Sequence, residues 1–310
     1  MKYHRSLLLV MTLAVGSSAC SVRRFAINKI GDALASSGST YESDDDIELV
    51  AGALPFSIKL VEGMLAESPK HKGLLLVASQ GLTSYAYIDV QQKLDKAAVS
   101  DFEAAEALKA RARRLYLRGH NHGLTALELA HPGFTVQLSK DPRAAVAVLN
   151  KKEIPWIYWT AAGLGLAVSA ARDDVSLLAR LPEVEALIDR ALELDEAWGN
   201  GALHEFAMIV TGAKPGKLDV ERIQKHFKQA LDLSKGRNAG LYVAFAEALA
   251  VPQQNRAEFT RLLEQALSID ADSYKENRLL NSVAQRRARW LMERTDDLIL
   301  AGESPAGGGR

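Results

Sequence analysis

The chain has 310 residues, with 38 basic and 38 acidic side chains, so its formal net charge is zero. Zero net charge argues against nucleic acid as a partner, because phosphate binding requires a basic surplus. A single cysteine excludes a disulfide framework. The length and the 48% hydrophobic content suffice for one large domain or two small ones, whose stability must come from core packing.

Residues 1–19 predict a secretory signal peptide. A basic start precedes the apolar run Leu7–Val15 and a stretch of small residues, which is the order that such signals have. The run is far shorter than the ~20 residues of a transmembrane helix. Cys20 at the cleavage point indicates a bacterial lipoprotein, acylated on that thiol, and Ser21 after it favours the outer membrane. A non-lipidated signal with an incidental cysteine is the alternative, because Ser17 stands where the lipidation motif usually has leucine.

The rest of the chain predicts an all-α protein. Alanine and leucine dominate, and the alternation of polar and apolar residues that strands require is rare. Residues 20–45 predict an N-terminal tether with a short helix, and 46–301 predict the helical domain. Residues 302–310, which are rich in glycine and proline, predict a disordered tail.

Three amphipathic segments of the helical domain resemble one another, at Val184–Asp195, Val220–Ser234 and Phe259–Asp270. They recur after about 36 to 39 residues, and a second apolar helix follows each of them. This spacing indicates a solenoid of tetratricopeptide-like (TPR-like) helical hairpins with irregular insertions. An ordinary helical bundle with coincidental spacing is the alternative. The predicted second helices are Leu74–Tyr87, Trp156–Ala170, Gly201–Val210 and Gly240–Ala250.

Between the first and later repeats, Leu94–Leu117 predicts one long helix. His120 and His122 on one side, and His131 on the other, then bracket a shorter helix. His-x-His can bind a metal, but a structural zinc site needs four suitable ligands, so we expect a polar loop and neither a metal nor a cofactor. The chain also lacks a nucleophile elbow, a phosphate loop and a dinucleotide fingerprint. We therefore expect no enzyme.

Aromatic side chains give better support to a binding function. Trp156, Tyr158 and Trp159 start one helix, and a His204–Glu205 pair interrupts another helix that is otherwise apolar. Aromatic groups of this kind suit pockets and interfaces, whereas core packing and an internal hydrogen bond are the alternatives. The candidate ligand-binding residues are Trp156, Tyr158, Trp159, His204, Phe206, Tyr242 and Phe245.

Taken together, these stretches resemble the T component associated with TRAP transporters (TatT). The likeness covers nearly everything after the leader. Each stretch is weak alone, but the set is specific. The stretches are Cys20–Arg24, Ile30–Leu34, Pro55–Glu62, Leu115–Gly119, His131–Phe134, Tyr158–Ala162, Gly201–Phe206, Tyr242–Glu247, Val251–Phe259 and Ala284–Leu291.

The resemblance implies a helical lipoprotein with cryptic TPR-like motifs, which can form a homotrimer with a channel through each protomer or through the assembly. It implies a partner, the periplasmic substrate-binding P subunit of a TRAP transporter. It also implies a hydrophobic ligand, lipid-like or an organic acid, but no catalytic residues.

We therefore predict a lipid-anchored protein of the cell envelope that faces the periplasm and assists a TRAP transporter. The alternative is an envelope scaffold lipoprotein that binds no small molecule.

Overall fold

The computed structural model describes residues 23–35, 40–171 and 173–300. Throughout this part of the chain the regular structure is helical, without strands, so the all-α prediction is confirmed. The predicted signal peptide, Cys20 and the tail at 302–310 lie outside the described residues. The short helix predicted after the tether is present as α1 at 23–35.

Fifteen further α-helices follow within the described residues, with two π-helical turns, at Ala86–Gln91 after α3 and at Ala246–Ala250 after α13. The helices are α2 Ile47–Glu67, α3 Lys72–Tyr85, α4 Gln92–Ser100, α5 Phe102–Ala130, α6 Phe134–Lys140, α7 Pro142–Val146, α8 Ile154–Ala170, α9 Val175–Leu178, α10 Leu181–Asp195, α11 Ala202–Ala213, α12 Val220–Ser234, α13 Ala239–Phe245, α14 Arg256–Ser268, α15 Arg278–Glu293 and α16 Thr295–Leu298.

The repeated amphipathic segments form α10, α12 and α14. Val184, Leu187 and Ala191 of α10 are buried, and so are the corresponding Phe259 and Leu262 of α14. Helix α10 packs against α11 and α12 packs against α13, while α14 contacts both α13 and α15. The helix pairing is therefore confirmed, while a TPR-like solenoid remains a prediction.

The prediction of one long helix at Leu94–Leu117 is wrong in its bounds, because the helix is interrupted at Asp101. That residue has an extended backbone, and its carboxylate accepts a hydrogen bond from the amide of Ala104 to cap α5. Further along, α5 continues to Ala130 and includes His120 and His122. The loop expected there is absent, because tight packing of α5 against α3 and α8 keeps the helix continuous.

Glycines allow this close packing. A Cβ atom on Gly163 of α8 would lie only 2.8 Å from the His120 nitrogen and 2.9 Å from the Tyr116 carbonyl oxygen, both in the backbone of α5. A Cβ on Gly123 would similarly meet Thr160 and Ser79. The sequence interpretation of Gly163 as a packing glycine is confirmed.

The last long helix returns to the beginning of the chain. The Leu279 amide of α15 donates to the Glu42 carbonyl oxygen at 3.0 Å, and Arg278 forms an ion pair with Asp45 at 2.9 Å. Leu279 also shares a hydrophobic cluster with Ile47 of α2. The described helices therefore form a ring whose two ends touch, and we call the α15–α2/α4 contact the seam.

Helix α2 is the one described helix that is long and apolar enough to cross a membrane, by length and composition alone. Its inner face is part of the core, with Ile47, Val50 and Leu54 buried. Core helices of water-soluble proteins pass the same test, so this is weak evidence for a membrane span.

Candidate functional site

The inner side of the ring carries the candidate site. The helices α3, α8, α11, α13 and α15 line it in this order, each in contact with the next, and α15 contacts α2. Polar side chains from these helices and their neighbours interact there electrostatically. We call this group the interior cluster; it consists of Tyr87, Asp95, Tyr116, Tyr158, Glu205, Glu247 and Arg287.

Arg287 of α15 holds together three separate parts of the chain. Its Nε and Nη2 donate to the Glu247 carboxylate at 3.0 and 2.6 Å, and its Nη1 donates to Asp95 of α4. Burial alone would lower the pKa of Arg287, but the two carboxylates outweigh it and raise the pKa well above its usual value. The guanidinium therefore stays charged, and it links α15 to α4 across the seam.

Tyr87 and Tyr116 lie beside this ion triad, and Tyr158 lies beside Tyr87 and Glu205. Burial raises the pKa of Tyr87 to about 12 and also raises the pKa values of Tyr116 and Tyr158. Tyr87 and Tyr158 nevertheless remain partly exposed. We infer from this partial exposure that both tyrosines border a space between the inner helices, which we call the cleft. Tyr116 is fully buried, and its hydroxyl has no hydrogen-bond partner among the described residues.

Glu205 of α11 enters the same interior without an ion-pair partner among the described residues. Its Oε2 accepts a hydrogen bond from Asn238 Nδ2 at 2.6 Å. Burial raises the pKa of Glu205 to about 6, although the Asn238 hydrogen bond works against the shift. The interior therefore contains a carboxyl group that gains a proton in mildly acidic solution.

The Glu205→Gln variant should be more stable than the wild type at neutral pH, by up to about 2 kcal/mol. The folded-state pKa is higher than the unfolded-state pKa, so ionisation of Glu205 opposes folding above pH ~6, and the advantage should vanish below pH ~4.5. Urea unfolding of the variant and the wild type, at neutral pH and below pH ~4.5, measures this difference in stability. Glu264→Gln on the exposed side of α14 is the control and should change stability little. An equal gain at both pH values would contradict the expectation.

Both π-helical turns contribute to the interior cluster. Tyr87 lies in the turn Ala86–Gln91, and Glu247 lies in the turn Ala246–Ala250. A π-helical turn shifts the side chains that follow it around the helix axis, and such turns are frequent at functional sites. Here each π-helical turn allows a largely apolar helix to direct one polar side chain, Tyr87 or Glu247, towards the ring interior.

One predicted ligand-binding residue, Tyr158, belongs to this cluster, and two more, Trp159 and Phe206, pack against it. Tyr158 packs edge-on against Phe206 at 6.1 Å between ring centroids, and against Trp159 at 5.2 Å. Phe206 is buried where Gly165 leaves room for its ring, since a Cβ on Gly165 would lie 2.7 Å from Phe206 Cζ. The structure thus brings Tyr158, Trp159 and Phe206 together, with Tyr158 reaching the cleft.

Trp156 lies apart from this group. Its indole Nε1 donates to the Lys72 carbonyl oxygen at 3.0 Å, and its ring packs against the cluster that contains Leu74. The contact ties the start of α8 to the start of α3. These contacts of Trp156 hold two helices together.

Tyr242 and Phe245 belong to a third group, between α12 and α13. Phe245 stacks on Phe227 at 4.0 Å between centroids, and Tyr242 meets the same ring edge-on at 5.9 Å. Phe245 is buried and Tyr242 is half-buried. The seven candidates therefore do not form one pocket.

His204 and Glu205 are neighbours in sequence that point to different sides of α11. His204 Nδ1 lies 2.9 Å from Nδ1 of His226 on α12, so one ring donates and the other accepts. Burial lowers the pKa of both, that of His226 to about 4. Glu205 enters the ring interior instead, so it, rather than His204, is the polar group of this pair that faces the cleft.

His120 is buried and fully hydrogen-bonded. Its Nδ1 donates to the Thr160 carbonyl oxygen at 2.9 Å, and its Nε2 accepts from Arg180 Nη2 at 3.0 Å, which fixes a neutral ring. Among the described residues, no group of three or more histidine, cysteine, aspartate or glutamate side chains is placed to hold a metal ion.

Acid should destabilise the protein through His120. Burial lowers its pKa to about 4, so between pH ~6.5 and ~4 the unfolded chain binds more protons than the folded one. Proton binding by the His120 imidazole of the unfolded chain should reduce the free energy of unfolding by about 3 kcal/mol as the pH falls from ~6.5 to ~4. Urea titrations of the wild type and His120→Gln measure it. A variant that lost stability with acid as steeply as the wild type would contradict the assignment.

The sequence alone did not reveal most of the interior cluster. Tyr87, Asp95, Tyr116 and Arg287 lie in unremarkable helical segments, and Asp95 and Arg287 are 192 residues apart. One available signal was the charged Arg287 in an amphipathic helix, opposite Glu247 in an apolar one. Charges in such places require partners.

The family model of the TRAP transporter T-component matches residues 43–299 of the chain. A curated relative, an uncharacterized protein of Treponema pallidum (strain Nichols), is 28% identical over 303 residues, which are 91% of this chain and 94% of the relative. Both matches span the helices that build the ring. The chain therefore belongs to the TRAP transporter T-component family.

Proposed function

We propose that this protein is a periplasm-facing lipoprotein that assists a TRAP transporter, binds its substrate-binding P subunit and holds a hydrophobic ligand in the ring interior. Family membership supports the transporter role, and this is a transporter family rather than an enzyme family. Helix pairs stacked as a TPR-like solenoid offer a broad surface for a protein partner.

The internal cleft carries the ligand part of this proposal. Tyr87 and Tyr158 touch water although protein surrounds them, and Tyr158 continues into the apolar group of Phe206 and Trp159. Apolar walls with a few polar groups are typical of small-molecule sites. Of the seven candidates, we therefore retain Tyr158, Trp159 and Phe206 as the main ligand-binding residues. Trp156, His204, Tyr242 and Phe245 make other contacts and are secondary candidates.

The membrane anchor in this proposal is acylated Cys20, in the outer membrane. Replacing Cys20 with serine should make the protein releasable from the membrane fraction by a high-salt wash, which weakens charge-driven binding, whereas a chain that stayed in that fraction after the wash would rule out this anchor.

Native mass spectrometry tests the partner and the ligand together. The full chain, extracted in detergent with a P-type substrate-binding protein of the same organism, should give a complex, with trimeric T component, that releases a small apolar molecule. Tyr158→Ala should retain the partner and lose that molecule, while Phe102→Ala, at an exposed site, should retain both. Failure to bind any P subunit would overturn the transporter role.

A scaffold without a small-molecule ligand is the second candidate. The ion triad at the seam favours it, because Arg287, Asp95 and Glu247 satisfy one another without a ligand. A partner complex that never releases a small molecule would support this candidate.

A further inference from the structure

The short helix α1 is attached to the ring by specific contacts. Ser68 donates to the Asn28 side-chain oxygen at 2.7 Å, and His71 Nε2 lies 3.1 Å from the Asn28 carbonyl oxygen. A Cβ on Gly31 would lie 2.8 Å from Leu74, so this glycine lets α1 sit close to α3. These contacts involve the face of α1 that carries Ile27, Asn28 and Gly31, and they fix its orientation on the α2–α3 turn.

The solvent-facing side of α1 carries exposed apolar side chains beside the charged Lys29 and Asp32. Phe25 and Ile30 are 63% and 52% exposed, and Ala26 between them is also exposed. Lys29 lies over the Phe25 ring at 5.7 Å. A short helix with aromatic and aliphatic side chains beside lysine suits the headgroup layer of a membrane.

The same edge of the molecule is basic. Arg23, Arg24 and Lys29 of α1, with Lys70 and Lys72 of the adjoining turn and α3, are exposed. The acidic groups within this set of segments are Asp32 and Glu67, so the cations are in excess. An excess of cations beside exposed apolar groups matches anionic lipid headgroups, which attract basic segments near a membrane surface.

The sequence that precedes α1 favours a membrane as the partner that covers the exposed face of α1. The predicted acylation site, Cys20, stands three residues before Arg23 in the sequence. Diacylation of that thiol would hold the chain at a lipid surface, so the residues that follow it would lie next to the headgroups. A lipid surface therefore accounts for the charge and the exposed apolar groups of α1 together.

We propose that the outer face of α1, with Phe25, Lys29 and Ile30, lies in the headgroup layer of an anionic membrane and thereby fixes the orientation of the ring. The interaction adds to the lipid anchor and does not require it. The contacts of Asn28 and Gly31 then transmit the orientation from the helix to α2 and α3.

Vesicle binding of the unlipidated mature chain tests the proposal. The Cys20→Ser chain without its leader should co-sediment with vesicles of phosphatidylethanolamine and phosphatidylglycerol, and less with phosphatidylcholine alone or at high salt. The Phe25→Ser/Ile30→Ser variant should bind these vesicles roughly 10-fold more weakly. Phe102→Ser is the matched control, because it removes an exposed phenylalanine at the far end of the ~40 Å helix α5.

A fluorescent label provides a second readout. The Cys20→Ser chain has no other cysteine, so Ile30→Cys allows a single nitrobenzoxadiazole label, as Phe102→Cys does for the control. The label at position 30 should brighten and shift to the blue with anionic vesicles, and the label at position 102 should not. No binding by the unlipidated chain, equal loss in the Phe102→Ser control, or an unchanged label at position 30 would each overturn the proposal. None of these outcomes bears on binding of the P subunit in detergent.

Discussion

Replacing Gly163 with valine should lower the free energy of unfolding by about 3 kcal/mol or more. The nearest atoms to a Cβ at this position belong to the backbone of α5, the His120 nitrogen at 2.8 Å and the Tyr116 carbonyl oxygen at 2.9 Å. A flexible side chain could move away, but a helix backbone can only move as a unit. The variant must therefore separate α8 from α5 where the two helices pack.

Gly52→Ala on α2 is the control for this effect. A Cβ at Gly52 has no atom within 4 Å, and the residue lies inside a helix. Alanine there should raise stability by about 1 kcal/mol, because glycine is the poorer helix former. Urea unfolding of both variants compares the two outcomes. If Gly163→Val were as stable as the wild type, the close contact between α5 and α8 would be wrong.

The Arg287→Met variant should lose about 3–5 kcal/mol of stability, because it leaves two inward-facing carboxylates without their cation. Glu247 and Asp95 both accept hydrogen bonds from this guanidinium. Urea unfolding at neutral pH measures this loss.

Combining Arg287→Met with Asp95→Asn and Glu247→Gln should restore most of the lost stability. An apolar or neutral replacement of an entire buried ion group is often well tolerated, whereas removal of one partner is not. Arg261→Ala is the control, since its ion pair with Glu258 lies on the surface, and its loss should be below about 1 kcal/mol. A triple variant as unstable as Arg287→Met would show that the arginine acts through packing.

The helices could be predicted well because their signal is local. Val184, Leu187 and Ala191 mark the buried stripe of α10 at the spacing of one helix face. The bounds of α4 and α5 could not be predicted as readily. Asp101 can sit on an exposed helix face as well as cap a helix, and only the packing against α3 and α8 decides between them.

The interior cluster was largely beyond sequence reasoning, because ring closure creates it. Trp156 and Tyr158 were equally plausible as ligand contacts, yet one is tied to α3 and the other reaches the cleft. Neighbouring residues on a helix point in different directions, as His204 and Glu205 also do. Composition and spacing reveal which helices are apolar, but the direction of the ring interior depends on how all the pairs are stacked.

The seam changes how the molecule should unfold. In an open array of repeats, each unit contacts only its neighbours, so the end units can melt separately. Here Arg278 and Arg287 of α15 bind Asp45 and Asp95 near the other end of the ring. Neither end can open without exposing the other, so the ring should unfold in a single cooperative transition.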